Sequence, residues 1–162
     1  MKKTLIVRHA KATLNFKGLK DFDRTLDVKG QKDAEMMANQ LINNNFIPDY
    51  IISSGAKRAL STSAIIASVI GYENKKIEVI DSIYTSTCDE IIDIIRGVSN
   101  KYNKLMIVGH NPTFHFLCQL LSGENIMRFP TCSMFCLKFD IESWSFIDKG
   151  KKEFMIFPEL FR

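Results

Sequence analysis

The sequence predicts an α/β fold: a three-layer sandwich with a mostly parallel central sheet, helices on both faces and an antiparallel part at the carboxyl end. Three observations predict it. The chain has 162 residues, 46% hydrophobic and 25% charged, the size and composition of one globular domain, 1–162, with a real core. Apolar runs of strand length at 4–8, 49–53, 76–80 and 104–109 alternate with segments of helical periodicity, the order that builds a parallel sheet. The last third changes character: "SMFCLKFD", "SWSFID" and "KEFMIFP" read as antiparallel strands, the first two joined around Ile141-Glu142.

The first strand is "TLIVRHAKA", residues 4–12, an apolar run that stops abruptly at Arg8-His9. Residues 10–27 follow without periodicity, and so long an irregular segment inside a compact domain is functional or disordered. Asp27 is placed as the N-cap of a helix over 28–45, where Ala34, Met37, Ala38, Leu41 and Ile42 recur at helical spacing. The strand 49–53 leads into a helix over 56–70, carried by Ala59, Leu60, Ala64, Ile65, Ala67 and Ile70 and stopped by Gly71. After the run 76–80, Ile91, Ile92, Ile94, Ile95 and Val98 mark a helix in 88–100. The strand 104–109 ends in "GHNP"; Pro112 suits a helix start, and Phe114 to Leu121 continue the helix to Gly123. The aromatics Phe135, Phe139, Trp144, Phe146, Phe154 and Phe157 near the end are most simply core packing.

Bulk properties narrow the function. The net charge is +4, and the basic residues are scattered rather than massed, which argues against nucleic acid as a partner. The amino-terminal apolar run ends at Val7, too short for a secretory leader, and no stretch approaches membrane-spanning length. A cytoplasmic location without membrane attachment is the expectation. Cys88, Cys118, Cys132 and Cys136 fit reduced core thiols, with Cys132 and Cys136 expected on one face of a strand. Neither the cysteines nor His110 and His115, five apart, have the spacing of a metal site. No "GxxxxGK[ST]", "HExxH" or "GxSxG" occurs, so no metal and no cofactor is called for.

In open α/β sheets, ligands bind outside the carboxyl ends of the strands. There the first strand delivers Arg8 and His9. The second delivers Ser53-Ser54-Gly55 and a helix whose first turn holds Lys57 and Arg58. The fourth delivers Gly109, His110 and Asn111. Two arginines, two histidines and two helix starts would then share one crevice. Arginine binds phosphate oxygens through a rigid fork, and helix N-termini add donors. A histidine can attack phosphorus and carry it as a covalent intermediate, while a second stabilises the transferring group. Arg8-His9 alone would be a surface accident as readily as a site; the match at three strand ends decides. His115, with no motif around it, reads as structural.

These residues are recognisable. "RHAKA" at 8–12, "DFDRTLDVKG" at 21–30, "SSGAKRALSTS" at 53–63 and "VGHNP" at 108–112 closely resemble the histidine phosphatase superfamily, and within it the small SixA-type phosphohistidine phosphatases. The resemblance spans roughly residues 4 to 122. It implies a nucleophile at His9, phosphate-binding arginines at Arg8 and Arg58, and a second pocket histidine at His110. Asn15, Arg24 and Asn111 are the implied substrate contacts, Arg24 with Asp23 either touching substrate or bracing the loop through an ion pair. The general acid of the family's mutases and sugar phosphatases is not evident; Asp81, Asp89 and Glu90 lack a convincing context. The implied function is a metal-independent phosphatase that works through phosphohistidine. Its expected partner is a phosphorylated protein such as a phosphotransfer domain; the alternatives are a small phosphate ester or a non-catalytic phosphate sensor.

Overall fold

In a computed structural model that describes residues 1–14 and 18–162, six strands form one sheet. They are β1 (Lys2–Arg8), β2 (Tyr50–Ser53), β3 (Glu78–Val79), β4 (Lys104–Gly109), β5 (Met134–Phe139) and β6 (Lys151–Ile156), ordered β3-β2-β4-β1-β5-β6. The first four in this order run parallel, and β5 and β6 add antiparallel at one edge. This is the α/β architecture that the sequence predicts.

The four helices are α1 (Val28–Asn43), α2 (Lys57–Ile70), α3 (Cys88–Arg96) and α4 (Thr113–Ser122). Successive strand residues point to opposite faces, so β1 sends Leu5 and Val7 one way and Ile6 the other. Leu5 and Val7 join Ala34, Met37 and Leu41 of α1 and Ile66 of α2 in one core. Ile6 joins Ile91 and Ile95 of α3, Leu117 and Leu121 of α4, and Trp144 in the second. Each of these side chains is at most 3% exposed, and burying one aliphatic side chain is worth about 1.5–3 kcal/mol. Two such cores, one per face, sandwich the sheet.

The helix boundaries follow their local chemistry. The Asp27 side chain accepts the Gly30 amide at 2.7 Å and caps α1. Thr87 and Glu90 close a capping box on α3. Gly71 and Gly123 end α2 and α4 in the left-handed conformation, φ 82° and 71°, which costs glycine nothing.

Four expectations need correction. "SWSFID" is not a strand: residues Trp144–Phe146 form a 3-10 turn. Its backbone and indole groups are taken by side-chain and turn partners, with Trp144 N donating to Asn100 Oδ1 and Trp144 Nε1 to the Tyr102 carbonyl, both at 2.9 Å. The strand after β5 is instead Lys151–Ile156. The run 76–80 yields only the two exposed residues of β3, because it is an edge that pairs on one side alone. Cys132 lies before β5 with φ 61°, off the strand that holds Cys136, although both thiols belong to the same core. Within 10–27 the described residues are not irregular throughout: Ala12 bridges Leu26, and Asp21–Asp23 form a 3-10 turn.

The connections leaving β1 and β4 go to opposite faces, β1 to α1 and β4 to α4. A crevice opens between such strands at their carboxyl ends. Arg8 pairs directly with Gly109 across β1 and β4, and Ser53 with Val108 across β2 and β4. His9, His110 and Ser54 are therefore the first residues beyond three adjacent strand ends.

Candidate active site

That crevice is a cleft of about 310 Å³ lined by Arg8, His9, Lys11, Ala12, Arg24, Arg58, His110, Asn111 and Thr131. A larger hollow of about 500 Å³ at the opposite edge of the sheet, around Tyr50, Tyr72 and Tyr102, has neither histidine nor arginine. The chemistry concentrates at the carboxyl edge.

His9 is 8% exposed, and its position is over-determined. Its amide donates to the Gly109 carbonyl, and its carbonyl accepts from the Cys132 amide, both at 3.0 Å. The next amide, Ala10, donates at 3.0 Å to Thr62 Oγ1 in α2, the helix that carries Arg58. His9 Nδ1 lies 2.7 Å from the Ala10 carbonyl. A carbonyl only accepts, so Nδ1 bears the hydrogen and Nε2 keeps its lone pair. Arg58 Nε donates toward that lone pair at 3.3 Å. The second imidazole, His110, sits with its ring centroid 5.2 Å from that of His9, and its Nε2 is 2.8 Å from Ser54 Oγ.

Burial and the neighbouring arginines keep both imidazoles neutral. Desolvation is the larger cause in each; His9 falls from 6.5 to about 3, with His110, Arg58 and Arg8 adding to the shift, and His110 to about 4, with Arg58 and Arg8 adding. Both folded values lie below the unfolded one, so the unfolded chain takes up protons first as pH falls through 6.5. Stability should decline from pH 6.5 toward 4, with a slope approaching about 2.7 kcal/mol per pH unit for two protons. Urea unfolding at pH 7, 6 and 5 measures this. Replacing both histidines with glutamine should flatten the slope; a wild-type free energy constant from pH 7 to 5 would refute the assignment.

The arginines are held at different points. Arg8 Nη1 donates to the Phe129 carbonyl at 3.1 Å, and Asn111 Nδ2 donates to the same oxygen at 2.9 Å. Asn111 thus spends its amide on the wall of the cleft, leaving its buried Oδ1 without a partner among the described residues. Arg58, 7% exposed, donates through Nη1 to the Asp21 carbonyl at 2.7 Å and through Nη2 to Asp21 Oδ2 at 2.9 Å. Arg24 donates to Asp21 Oδ1 at 2.9 Å and to the Thr13 carbonyl through Nε and Nη2. The bracing of Arg24 therefore comes from Asp21 and not from Asp23. Asn15 lies outside the described residues.

Asp21 is the carboxylate that the sequence reading did not single out. The Tyr84 hydroxyl, Arg24 and Arg58 all donate to it and hold its carboxyl well below the usual range, the Tyr84 bond contributing most. Tyr84 also sets its ring edge-on to His110 and lies under the Arg58 guanidinium. The signal for Asp21 was slight: an acid three residues before Arg24 in a segment without periodicity. Tyr84 has no local mark at all, since sequence does not show which tertiary neighbour a tyrosine meets. The candidate acids Asp81, Asp89 and Glu90 stay off the cleft. Asp81 packs against the backbone of Gly55, Asp89 is exposed at the start of α3, and Glu90 belongs to the capping box. His115 Nε2 lies 2.7 Å from the Ile126 carbonyl, as the structural reading expects.

The parallel-sheet rim gathers two neutral histidines and three arginines, of which Arg24 and Arg58 share the ionised Asp21 carboxylate, an arrangement suited to a phosphate group. Residues 4–83 match the model of the histidine phosphatase superfamily (branch 1). SixA from Agrobacterium tumefaciens is 27% identical, and the match covers 97% of this chain and 98% of that one at a TM-score of 0.85. A protein histidine phosphatase SixA in complex with tungstate shares the fold at 20% identity, with 99% of both chains covered and a TM-score of 0.85. A mycobacterial glucosyl-3-phosphoglycerate phosphatase shares it at 12% identity, covering 95% of this chain and 98% of that one, TM-score 0.70. An uncharacterized chloroplastic protein of Arabidopsis thaliana is 27% identical over 151 residues, 88% of this chain and 69% of that protein. The chain is thus similar to the histidine phosphatase superfamily over residues 4–83 and to a SixA phosphohistidine phosphatase over nearly its whole length.

Among the described residues no helix is long and apolar enough to cross a membrane, and no three His, Cys, Asp or Glu side chains are grouped to hold a metal ion.

Proposed function

We propose that the protein is a phosphatase that transfers the phosphoryl group of a phosphohistidine-bearing protein to His9 and then to water, without a metal ion. The observation that carries the reading is the His9 Nε2 lone pair, fixed by the Nδ1 bond to Ala10 and set among Arg8, Arg24 and Arg58. Nε2 attacks phosphorus in line, a P–N bond to His9 forms, and the bond to the leaving group breaks. The guanidinium groups neutralise the equatorial oxygens, as phosphoryl transfer requires. Water then attacks the phosphohistidine, releasing phosphate and restoring the lone pair. Tungstate in one relative is an anion of phosphate shape and charge, which supports a phosphate site.

Substrate choice follows from the acid that the described residues of the cleft do not supply. The carboxylate nearest the arginines, Asp21, is held ionised and has no proton to give. An alkoxide leaving group needs a well-placed acid; an imidazole departs with modest proton help. The fold itself does not choose, since a phosphatase of a small phosphosugar compound shares it. The test is a panel of phosphohistidine protein, phosphohistidine peptide, aryl phosphate and alkyl phosphate, each with and without chelator. Phosphohistidine and aryl phosphate are expected to turn over far faster than alkyl phosphate, with the chelator inert. An alkyl phosphate as the best substrate would hand the reading to a small-molecule phosphatase, and loss of activity on chelation would overturn the metal-free step.

A further inference from the structure

The two histidines do not present the same nitrogen. His9 gives its Nδ1 hydrogen to a carbonyl and keeps a free lone pair at Nε2. His110 has its Nε2 against Ser54 Oγ at 2.8 Å, in a site where Ser54 is wholly buried. Ser54 Oγ accepts the Ala56 amide at 3.2 Å, so its lone pairs have a claimant. Its hydrogen also needs an acceptor, and among the described residues the hydroxyl reaches only His110 Nε2.

Two proton arrangements are open, and they differ in what they leave unmet. With the hydrogen on His110 Nε2, the Ser54 hydrogen and the lone pair of His110 Nδ1 would both be buried without a partner. With the serine donating to Nε2, only the Nδ1 hydrogen is unmet; Nδ1 is without a partner among the described residues in either case, so the Ser54 hydrogen decides. Each unmet buried polar group costs stability, so the second arrangement, with one fewer, wins.

We propose that Ser54 is a positioning residue that donates its hydroxyl hydrogen to His110 Nε2, holds His110 as the Nδ1–H tautomer and covers the lone pair that would otherwise compete with His9 for phosphorus. The need for such a cover arises because His110, kept neutral by burial, would be a second competent nucleophile one ring away. With the lone pair engaged, His9 is the imidazole that attacks. This consequence rests on the phosphatase reading above; the tautomer does not.

The experiment is long-range proton–nitrogen NMR on histidine-labelled protein without ligand at pH 7, the His110 signals assigned by loss in His110→Gln. The wild type should show His110 with its hydrogen on Nδ1. In Ser54→Ala, the Nε2–H form should appear for His110 while His9 keeps its pattern, and Ser54→Thr should restore the wild-type state. Wild-type His110 with hydrogen on Nε2 overturns the proposal, as does an unchanged His110 tautomer in folded Ser54→Ala, which would leave Ser54 only the turn at Gly55-Ala56 to hold. If a variant fails to fold, the wild-type tautomer decides alone. Failure of the phosphatase reading would show separately, as no phosphate transferred to a protein whose His110 tautomer is as expected.

Discussion

His9→Ala eliminates turnover on every phosphohistidine and aryl phosphate substrate, a loss of roughly 10⁴-fold or more, the scale on which a nucleophile acting as a unit with its partners is missed. The same substitution abolishes the acid-labile phosphate that brief incubation with labelled substrate and rapid quench leave on the wild type. The expectation follows from the tautomer: the ring nitrogen that faces Arg58 is the one with the lone pair, and a methyl group has none. His9→Gln separates the roles, because it restores a polar side chain but no nucleophile, and it should be as inactive as His9→Ala. Label retained at the wild-type level on either variant would move the covalent step to another residue, His110 first. Circular dichroism checks that the sheet survives, as the backbone bonds of His9 do not depend on its ring.

Much of this site was legible because the parallel sheet turns a linear pattern into a place. Three apolar runs that end in chemistry must end at one edge, and Arg8, His9, Arg58, His110 and Asn111 do line one cleft. What was not legible depends on distant parts of the chain. Asp21 gains its meaning from Tyr84, 63 residues on, and from Arg58, 37 residues on. The segment that clamps the site from the far side, Phe129 to Ser133, presents mainly its backbone: the Phe129 carbonyl to Arg8 and Asn111, the Cys132 amide to His9, the Ser133 carbonyl to the Arg8 amide. Backbone groups are the same in every residue, so side-chain patterns cannot announce them. The same limit misled the reading of 143–148. Trp144 and Ile147 are buried there and Phe146 is 72% exposed, the three-residue spacing of a 3-10 turn, although Trp144 and Phe146 two apart in "SWSFID" look like one face of a strand.

Arg58→Ala costs about 3 kcal/mol of transition-state stabilisation, a loss of at least roughly 100-fold in kcat/KM, by comparison with removing one preorganised donor. Arg58→Lys recovers little, because an ammonium cannot hold Asp21 with two parallel donors, face His9 through a third and still meet a phosphoryl oxygen. Asp21→Asn tests whether that placement matters apart from the charge. It keeps the shape of the side chain but gives up the ionic bonds to Arg58 and Arg24, whose charge-assisted form is about twice as strong as a neutral one. Turnover should fall about tenfold, the effect of losing about 1.4 kcal/mol of alignment. The KM for an aryl phosphate should not rise, since two guanidinium groups less neutralised by a carboxylate attract the anion at least as well. Tyr84→Phe should follow in the same direction and by less, as it leaves the carboxylate and both ion pairs in place. If Asp21 were instead the acid for the leaving group, Asp21→Asn would slow alkyl phosphates far more than phosphohistidine. An equal loss on both substrates supports the brace; a loss confined to the alkyl phosphate would make Asp21 a proton donor and undo the leaving-group argument.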